Sequence, residues 1–246
     1  MKLLNPTQRL FVHFHPDASF AARHLNCRHG KSEGWIITDV DPAAGTGEVY
    51  LGFRDGVEGS TVAAWVAGQR VPAMLDAMNR IAVRPGDTFF VPAGTPHAIG
   101  AGITAVELQE PTDFSILLEW TGFDLPARAR HLGLESDVAL SALDRTGWDA
   151  TRLAQLRLVR ASQDPAVTRI FPAGADQFFR AERVRSPATF EPEHTILIVL
   201  DGDGALTADA GTIELHCGTC VLVPFGAGGY QLTGAVDAIR CLPPAP

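Results

Sequence analysis

The sequence of 246 residues is poor in lysine: of its 20 basic side chains, only Lys2 and Lys31 are lysines and the rest are arginines. It contains no basic block, and its net charge of −8 makes nucleic acid an unexpected partner. No run approaches about 20 consecutive apolar residues, so no membrane span is expected. The first residues lack the apolar core of a signal peptide. We therefore expect a cytoplasmic protein that binds neither nucleic acid nor membrane.

Cysteine is also scarce, and four cysteines in a chain of 246 residues do not suggest a disulfide framework. Cys217 and Cys220 have CxxC spacing, but they fall on a glycine turn and no second pair completes a zinc site. We interpret this pair as structural. The hydrophobic content of 46 % is ordinary for a globular protein and predicts a sizeable core.

Short apolar runs bounded by Gly, Pro, Asp or Asn are abundant, which is typical of a β-sandwich or β-barrel. Two stretches differ from this pattern. Residues 59–81 carry apolar residues at helical spacing, interrupted by Pro72, and predict a helical insertion. Residues 124–160 predict a helical linker. The predicted domains are therefore 1–123, which contains the insertion, and 161–246.

An internal repeat relates the two predicted domains. Residues 86–97 read GDTFFVPAGTPH, and residues 218–229 read GTCVLVPFGAGG. Each copy has a glycine turn, an apolar strand, and then Pro and Gly, as in the closing hairpin of a jelly-roll (cupin) barrel. His97 in the first copy is matched by Gly229 in the second. The sequence thus predicts a mainly β protein with two jelly-roll (cupin) barrels, of which the second is structural.

Four residues of the first predicted barrel form a candidate metal site. His13 and His15 are one residue apart in a predicted strand, so both side chains would point to the same face. Glu33 begins the next predicted strand, and His97 follows the turn of the repeat. Three imidazoles and one carboxylate suit a divalent ion such as zinc. We expect one ion in the first barrel and none in the second.

These motifs, in this order, resemble type I mannose-6-phosphate isomerase in its short bacterial form. The resemblance covers nearly the whole chain and is carried by VHFHPD (12–17), GKSEGWII (30–37), VRPGDTFFVPAGTPHAIGAGITAVELQEPTD (83–113), ILIVLDGDGAL and VLVPFGAGGYQLTG. It implies a zinc-dependent enzyme of carbohydrate metabolism with the cupin fold. Such an enzyme interconverts mannose 6-phosphate and fructose 6-phosphate, or a related sugar.

The resemblance also implies roles for individual residues. The metal ligands of the family map to His13, His15, Glu33 and His97. The family lysine before the ligand glutamate maps to Lys31, and the glutamate after the last ligand maps to Glu107. These two are the catalytic candidates, because an aldose–ketose isomerase needs an acid or base near the reacting carbon. The structural alternatives are a solvated loop lysine and a carboxylate bonded to a ligand histidine.

Three features depart from the family pattern. His13 stands where the family usually has Gln; because imidazole is the stronger ligand, metal binding should survive, while the metal preference is open to change. The stretch TDFSILLEW has Ile or Leu where the family has an Arg, which leaves the sugar and its phosphorylation open. The family also carries a segment before the KLL strand at which this sequence begins, so a truncated chain would lack part of the first barrel wall. Two other functions stay open: another metal cupin, such as an iron oxygenase, and a sugar-binding cupin without turnover.

Overall fold

The computed structural model describes residues 1–156 and 166–245. The chain divides into two compact units, Met1–Leu156 and Arg157–Pro246. Each unit contains two sheets whose strands pair with antiparallel neighbours. No helix in the described ranges is long and apolar enough to cross a membrane. The predicted mainly β class is therefore confirmed, and the arrangement is consistent with a cupin-like fold.

Within the first unit, short strands form the two sheets. They are β1 (Lys2–Leu4), β2 (His13–Phe14), β3 (Glu33–Val40), β4 (Glu48–Phe53), β5 (Met78–Ala82), β6 (Thr88–Val91), β7 (His97–Ile99), β8 (Ile103–Gln109) and β9 (Ile116–Leu117). The strand orders are β1-β8-β3-β6 and β5-β4-β7-β2-β9. β3 and β8 lie inside the first sheet, and their β-branched and aromatic residues suit that buried place.

The helices of the first unit are α1 (Ala18–His24), α2 (Gly59–Ala67), α3 (Val71–Ala77), α4 (Ser136–Leu140) and α5 (Ala150–Gln155). Pro72 lies in the first turn of α3, where its missing N–H has no intrahelical partner to lose. The predicted helical stretch 59–81 is wrong at its end, because β5 begins at Met78. That strand pairs with β4, and from Asn79 to Ala82 its side chains alternate between half-buried and exposed.

The described part of the predicted linker packs against the first unit. It contains a 3-10 turn (Ala127–Ala129), α4 and α5, and buries Ala139, Leu143 and Trp148. The indole of Trp148 covers Gly52 of β4 so closely that a Cβ there would lie 2.5 Å from its Cδ2 atom. Residues 157–160 of the predicted linker lie outside the described residues.

The second unit has the strands β10 (Val167–Arg169), β11 (Arg180–Arg185), β12 (Ala188–Phe190), β13 (Thr195–Asp201), β14 (Gly204–Ala208), β15 (Gly211–Leu215), β16 (Cys220–Val223), β17 (Tyr230–Gly234) and β18 (Asp237–Leu242). Their orders are β10-β11-β18-β13-β16 and β12-β17-β14-β15. Apolar side chains from both sheets form its core. Cys217 and Cys220 are free and exposed.

The strand registers show how the two units correspond. Strand β6 of the first repeat copy pairs with β3, so that Val91 lies opposite Glu33. In the second copy, β16 pairs with β13, and Val223 lies opposite Thr195. Because Val91 and Val223 occupy the same place in the repeat, Thr195 stands where the first unit has Glu33.

The same comparison corrects the predicted match of His97 to Gly229. His97 is the first residue of β7 and pairs with His13 of β2. The corresponding strand β17 begins at Tyr230, which pairs with Phe190 of β12. Between the repeat valine and this strand, the second copy has one more residue than the first. An alignment without gaps is therefore displaced by one position at the strand.

Candidate metal centre

Three histidines of the first unit meet in one buried space. His13 lies in β2, His15 follows that strand, and His97 opens β7. The ring centroids are 4.8 Å apart for His13 and His15, 4.2 Å for His13 and His97, and 4.9 Å for His15 and His97. Their potential ligand atoms all lie within 4.8 Å of one another, a grouping found nowhere else in residues 1–156 and 166–245. The predicted HxH pair and the distant histidine therefore come together.

Backbone carbonyls fix the orientation of the three rings. Each Nδ1 atom donates a hydrogen bond to one carbonyl oxygen, and the acceptors for His13, His15 and His97 are Phe11 at 2.9 Å, Phe114 at 2.7 Å and Thr95 at 2.9 Å. A neutral imidazole protonated at Nδ1 carries its lone pair on Nε2. Each ring thus has an unprotonated nitrogen that can act as a metal ligand, as in metal-binding histidines.

Glu33, at the start of β3, completes the group. Its Oε1 atom lies 2.8 Å from Nε2 of His15, and its Oε2 atom lies 3.6 Å from Nε2 of His97. The buried Nε2 atom of His97 has no hydrogen-bond partner in the part of the chain that the structure describes. A lone pair on Nε2 of neutral His15 would face a carboxylate oxygen. A divalent cation would give the Nε2 atom of His97 a partner and would lie between the lone pair of His15 and the carboxylate oxygen. The residues therefore fit such an ion.

The protonation states of these residues also suit a metal. Burial lowers the pKa of His13 well below its ordinary range and that of His97 to about 3. Burial alone would raise the pKa of Glu33, but His15, His97 and Lys31 outweigh it and hold this pKa well below its ordinary range. Metal ligands must give up their protons. The neutral rings of His13 and His97 beside the ionised carboxylate of Glu33 are therefore ready to bind.

Lys31 lies in this site. Its Nζ atom is 3.0 Å from Oε1 of Glu33 and 3.4 Å from Nε2 of His15. The residue is only 5 % exposed, which is not the environment of a solvated loop lysine.

Glu107, the second catalytic candidate, comes from β8. It lies opposite Trp35 in the register, which makes it a diagonal neighbour of Glu33 on the same face of the sheet. Burial raises the pKa of Glu107 to about 7, with a further contribution from the charge of Glu33 and opposition from Lys31 and Lys2. A carboxyl group in this environment exchanges its proton near neutral pH.

Two further residues of the site were missed by sequence reasoning. Lys2 pairs across β1 and β8 with Glu107, and its Nζ atom lies 4.0 Å from Oε1 of that residue and 2.9 Å from Oδ1 of Asp113. Trp35 donates from Nε1 to Oε2 of Glu33 at 3.0 Å. Both lysines of the chain therefore reach the same site, and their scarcity was the available signal for Lys2.

The place of the expected family arginine is apolar. Ile116 and Leu117 form β9, both are buried, and Leu117 lies opposite His13 in the register. Two residues further on, Glu119 accepts two hydrogen bonds of 2.7 Å from the guanidinium of Arg9. These residues supply no free cation at this wall of the site.

Comparisons with known proteins identify relatives of this chain. No protein-family model matches the chain. It is 26 % identical over 242 residues to "Mannose-6-phosphate isomerase ManA" of Bacillus subtilis, covering 97 % of this chain and 72 % of that protein. It is 30 % identical over 243 residues to "Putative mannose-6-phosphate isomerase YvyI" of the same organism, with the same coverage of 97 % and 72 %.

A solved structure shows the same fold. The crystal structure of mannose 6-phosphate isomerase from Bacillus subtilis matches with a TM-score of 0.76 and 20 % sequence identity. The match covers 97 % of this chain and 73 % of that one. The sequence relationship extends over almost the whole chain and over more than two thirds of each relative. The chain belongs to the mannose-6-phosphate isomerase family.

Proposed function

We propose that this protein is a metal-dependent isomerase that interconverts mannose 6-phosphate and fructose 6-phosphate. Zinc is the proposed ion, and its ligands are His13, His15, Glu33 and His97. The observation that carries the proposal is the convergence of these four side chains with Lys31 and Glu107 in one buried site. The relatives of this chain bear the name of the same activity.

The residues account for the proton transfers that the reaction needs. A bound divalent ion would act as a Lewis acid toward the sugar oxygens. Conversion of the aldose removes a proton from C2 and delivers one to C1, while the hydroxyl proton of O2 is transferred to O1. We assign the carbon-bound proton to Glu107, because it is a buried carboxyl group on the same face of the sheet as the proposed ligand Glu33. Lys31 is assigned to the sugar oxygens: its ammonium group gives a proton to O1, and the amine takes the hydroxyl proton of O2.

Two jelly-roll (cupin) barrels are the proposed architecture, with the second lacking a metal. The strand registers match His13 to Phe190, His97 to Tyr230, Glu33 to Thr195 and Glu107 to Arg240 of the second unit. The buried guanidinium of Arg240 lies 4.3 Å from the centroid of the Phe190 ring and donates to the Tyr230 hydroxyl at 2.9 Å. It also donates to the carboxylates of Glu182 at 2.8 Å and Glu193 at 3.0 Å. A fixed cation thus stands among the residues that replace the metal ligands.

A coupled assay tests the proposed activity. Purified protein is supplied with mannose 6-phosphate and, in parallel, with unphosphorylated mannose, before and after chelation and after return of zinc, manganese, cobalt or iron. We expect turnover of the phosphorylated sugar that chelation abolishes and a divalent ion restores. Sugar binding without turnover would instead show a binding protein. Oxygen consumption restored by iron alone would show an oxygenase.

The role of Lys31 is tested by Lys31→Arg, which keeps the charge but changes the shape and proton chemistry of the group. We expect kcat/KM to fall by roughly 10²-fold, as for loss of a general acid or base. Metal content, measured by elemental analysis, should stay at the parental value because Lys31 is not a proposed ligand. A variant with parental kcat/KM would remove Lys31 from the mechanism.

A further inference from the structure

Glu110 is a buried carboxylate that accepts hydrogen bonds from the backbone on both sides of Lys31. Its Oε1 atom accepts a hydrogen bond of 3.2 Å from the N–H of Gly30, and its Oε2 atom accepts one of 2.8 Å from the N–H of Ser32. The residue is 7 % exposed. It follows β8 directly, so the sheet that carries Glu107 also holds the loop that carries Lys31.

The opposite side of this loop is fixed by the chain that follows His15. The N–H of Lys31 donates to the carbonyl oxygen of Pro16 at 3.0 Å. Gly30 packs so closely on this segment that a Cβ atom would lie 2.6 Å from the backbone nitrogen of Ala18. The hydroxyl of Thr112 donates to the carbonyl oxygen of Gly30 at 2.8 Å. The backbone at Lys31 therefore has little freedom, and its amine is aimed at the site.

These two hydrogen bonds require the two acceptor atoms of a carboxylate. Two backbone N–H donors two residues apart need two acceptor atoms, and an ionised carboxylate supplies both. A glutamine of the same length supplies one acceptor and one donor, so one N–H would be left facing an NH₂ group. An unsatisfied buried N–H destabilises the closed form of the loop, so the loop opens more often.

We infer that Glu110 is a positioning residue that acts through Lys31, holding its amine beside Glu33 and His15. The inference rests on the proposed function insofar as Lys31 takes part in turnover. The placement itself is independent of any substrate, since it is made by backbone contacts of the folded chain. Pre-orientation of this kind lowers the barrier of a reaction because the group does not have to be ordered at each turnover.

Acylation of lysine tests the placement without substrate. The chain has two lysines, so mass spectrometry of peptides follows each amine separately after treatment with an N-hydroxysuccinimide acetate. In the parent we expect Lys31 to react at least about tenfold more slowly than the half-exposed Lys2. In Glu110→Ala the rate at Lys31 should rise about tenfold, in Glu110→Gln by less, and the rate at Lys2 should not change.

Asp237→Asn is the control for general loss of stability. Asp237 lies in the second unit and accepts hydrogen bonds of 2.6 Å from Arg183. Its variant is compared with the Glu110 variants at temperatures where the proteins are equally far from their melting points. An equal rise at Lys31 in Asp237→Asn, or no rise in Glu110→Ala, would overturn the inference whether or not the protein turns over any sugar.

A double-variant cycle tests whether Glu110 acts through Lys31. In the parent, Glu110→Gln should lower kcat about tenfold, with KM and metal content within about twofold of the parental values. In a Lys31→Arg background the same change should lower kcat by less than about twofold, because the group being positioned is already lost. Equal, multiplicative losses in both backgrounds would show that Glu110 acts on something other than Lys31.

Discussion

At the scale of single residues, the three histidines illustrate how a fold can orient side chains for a cation before any ion binds. Each Nδ1–H group donates a hydrogen bond to a backbone carbonyl oxygen, and burial disfavours the doubly protonated ring of His13 and His97. The Nε2 lone pairs of His13 and His97 are then available at neutral pH. An exposed histidine such as His216, which pairs with Asp203 at 2.7 Å, has no such restriction.

Substitution of the histidines should remove the metal. We expect His15→Ala and His97→Ala each to lose most of about one ion per chain, because each removes one of four proposed ligands. Elemental analysis of the purified variants measures this, with His216→Ala as a control that should keep parental metal content. Full metal content in both site variants would contradict the assigned centre.

Glu107 should make the stability of the metal-free protein depend on pH. Its pKa is about 7 in the folded protein against an ordinary value of 4.5, so the folded state holds the proton over a range where the unfolded chain has lost it. The stability from this group is complete below the unfolded pKa and is lost as pH rises through the folded one. Relative to the parent, Glu107→Gln should therefore gain up to about 3 kcal/mol in unfolding free energy between pH 4.5 and 7.5.

Urea unfolding of the two chelated proteins at several pH values measures this difference. The other titrating groups of the site are present in both proteins, so the difference reports the titration of Glu107 together with its effect on the charges of Glu33, Lys31 and Lys2. A difference that stays constant from acid to neutral pH would show that burial does not raise the pKa of Glu107.

The sequence identified site residues that share a motif or match a family pattern. It missed those that come to the site only through the pairing of distant strands. The spacing of His13 and His15 predicted a shared face, and that face exists. Lys2 was not singled out for the site, because nothing in the KLL segment shows that β1 will pair with β8 opposite Glu107. Glu110 was missed for a similar reason, since its partners are backbone N–H groups about 80 residues away.

At the scale of elements, strand pairing decided the places where local pattern failed. Residues 78–81 continue the apolar spacing of α3, yet they belong to β5 because β4 offers a partner. The match of His97 to Gly229 failed because one extra residue before β17 moves every later position by one. Such an insertion is invisible to a gapless comparison, and it is resolved only when the hydrogen-bonded neighbours are known.

The packing of the segment after residue 123 can be tested by stability. Trp148 is 1 % exposed and covers Gly52 of β4. Trp148→Ala should lower the free energy of unfolding of the first unit by about 3–5 kcal/mol, because it leaves a large cavity. Leu3→Ala, at a position that is 63 % exposed in β1, should change it by less than about 0.5 kcal/mol. Similar small losses in both, measured by urea unfolding, would mean that this segment is not part of the first unit's core.

At the scale of the whole molecule, the two units share a pattern of pairing but differ in what their interiors hold. The first unit brings together imidazoles and carboxylates that fit a cation, whereas the second places the guanidinium of Arg240 against Tyr230 and Phe190. This guanidinium pairs with the carboxylates of Glu182 and Glu193, so neither carboxylate is free to hold a metal ion. The division of labour we propose therefore follows from side chains at matched positions and not from a difference in fold.

Removal of the metal should consequently loosen the first unit alone. An ion that binds only the folded state stabilises the unit that holds its ligands, by RT ln(1 + [L]/Kd). Hydrogen exchange followed by mass spectrometry, with and without a chelator, should therefore speed up in peptides that contain β2, β3 and β7. Peptides from residues 166–245 should exchange at unchanged rates, since Phe190, Thr195 and Tyr230 offer no ligand set. Equal acceleration in both units would contradict the assignment of the ion to the first unit.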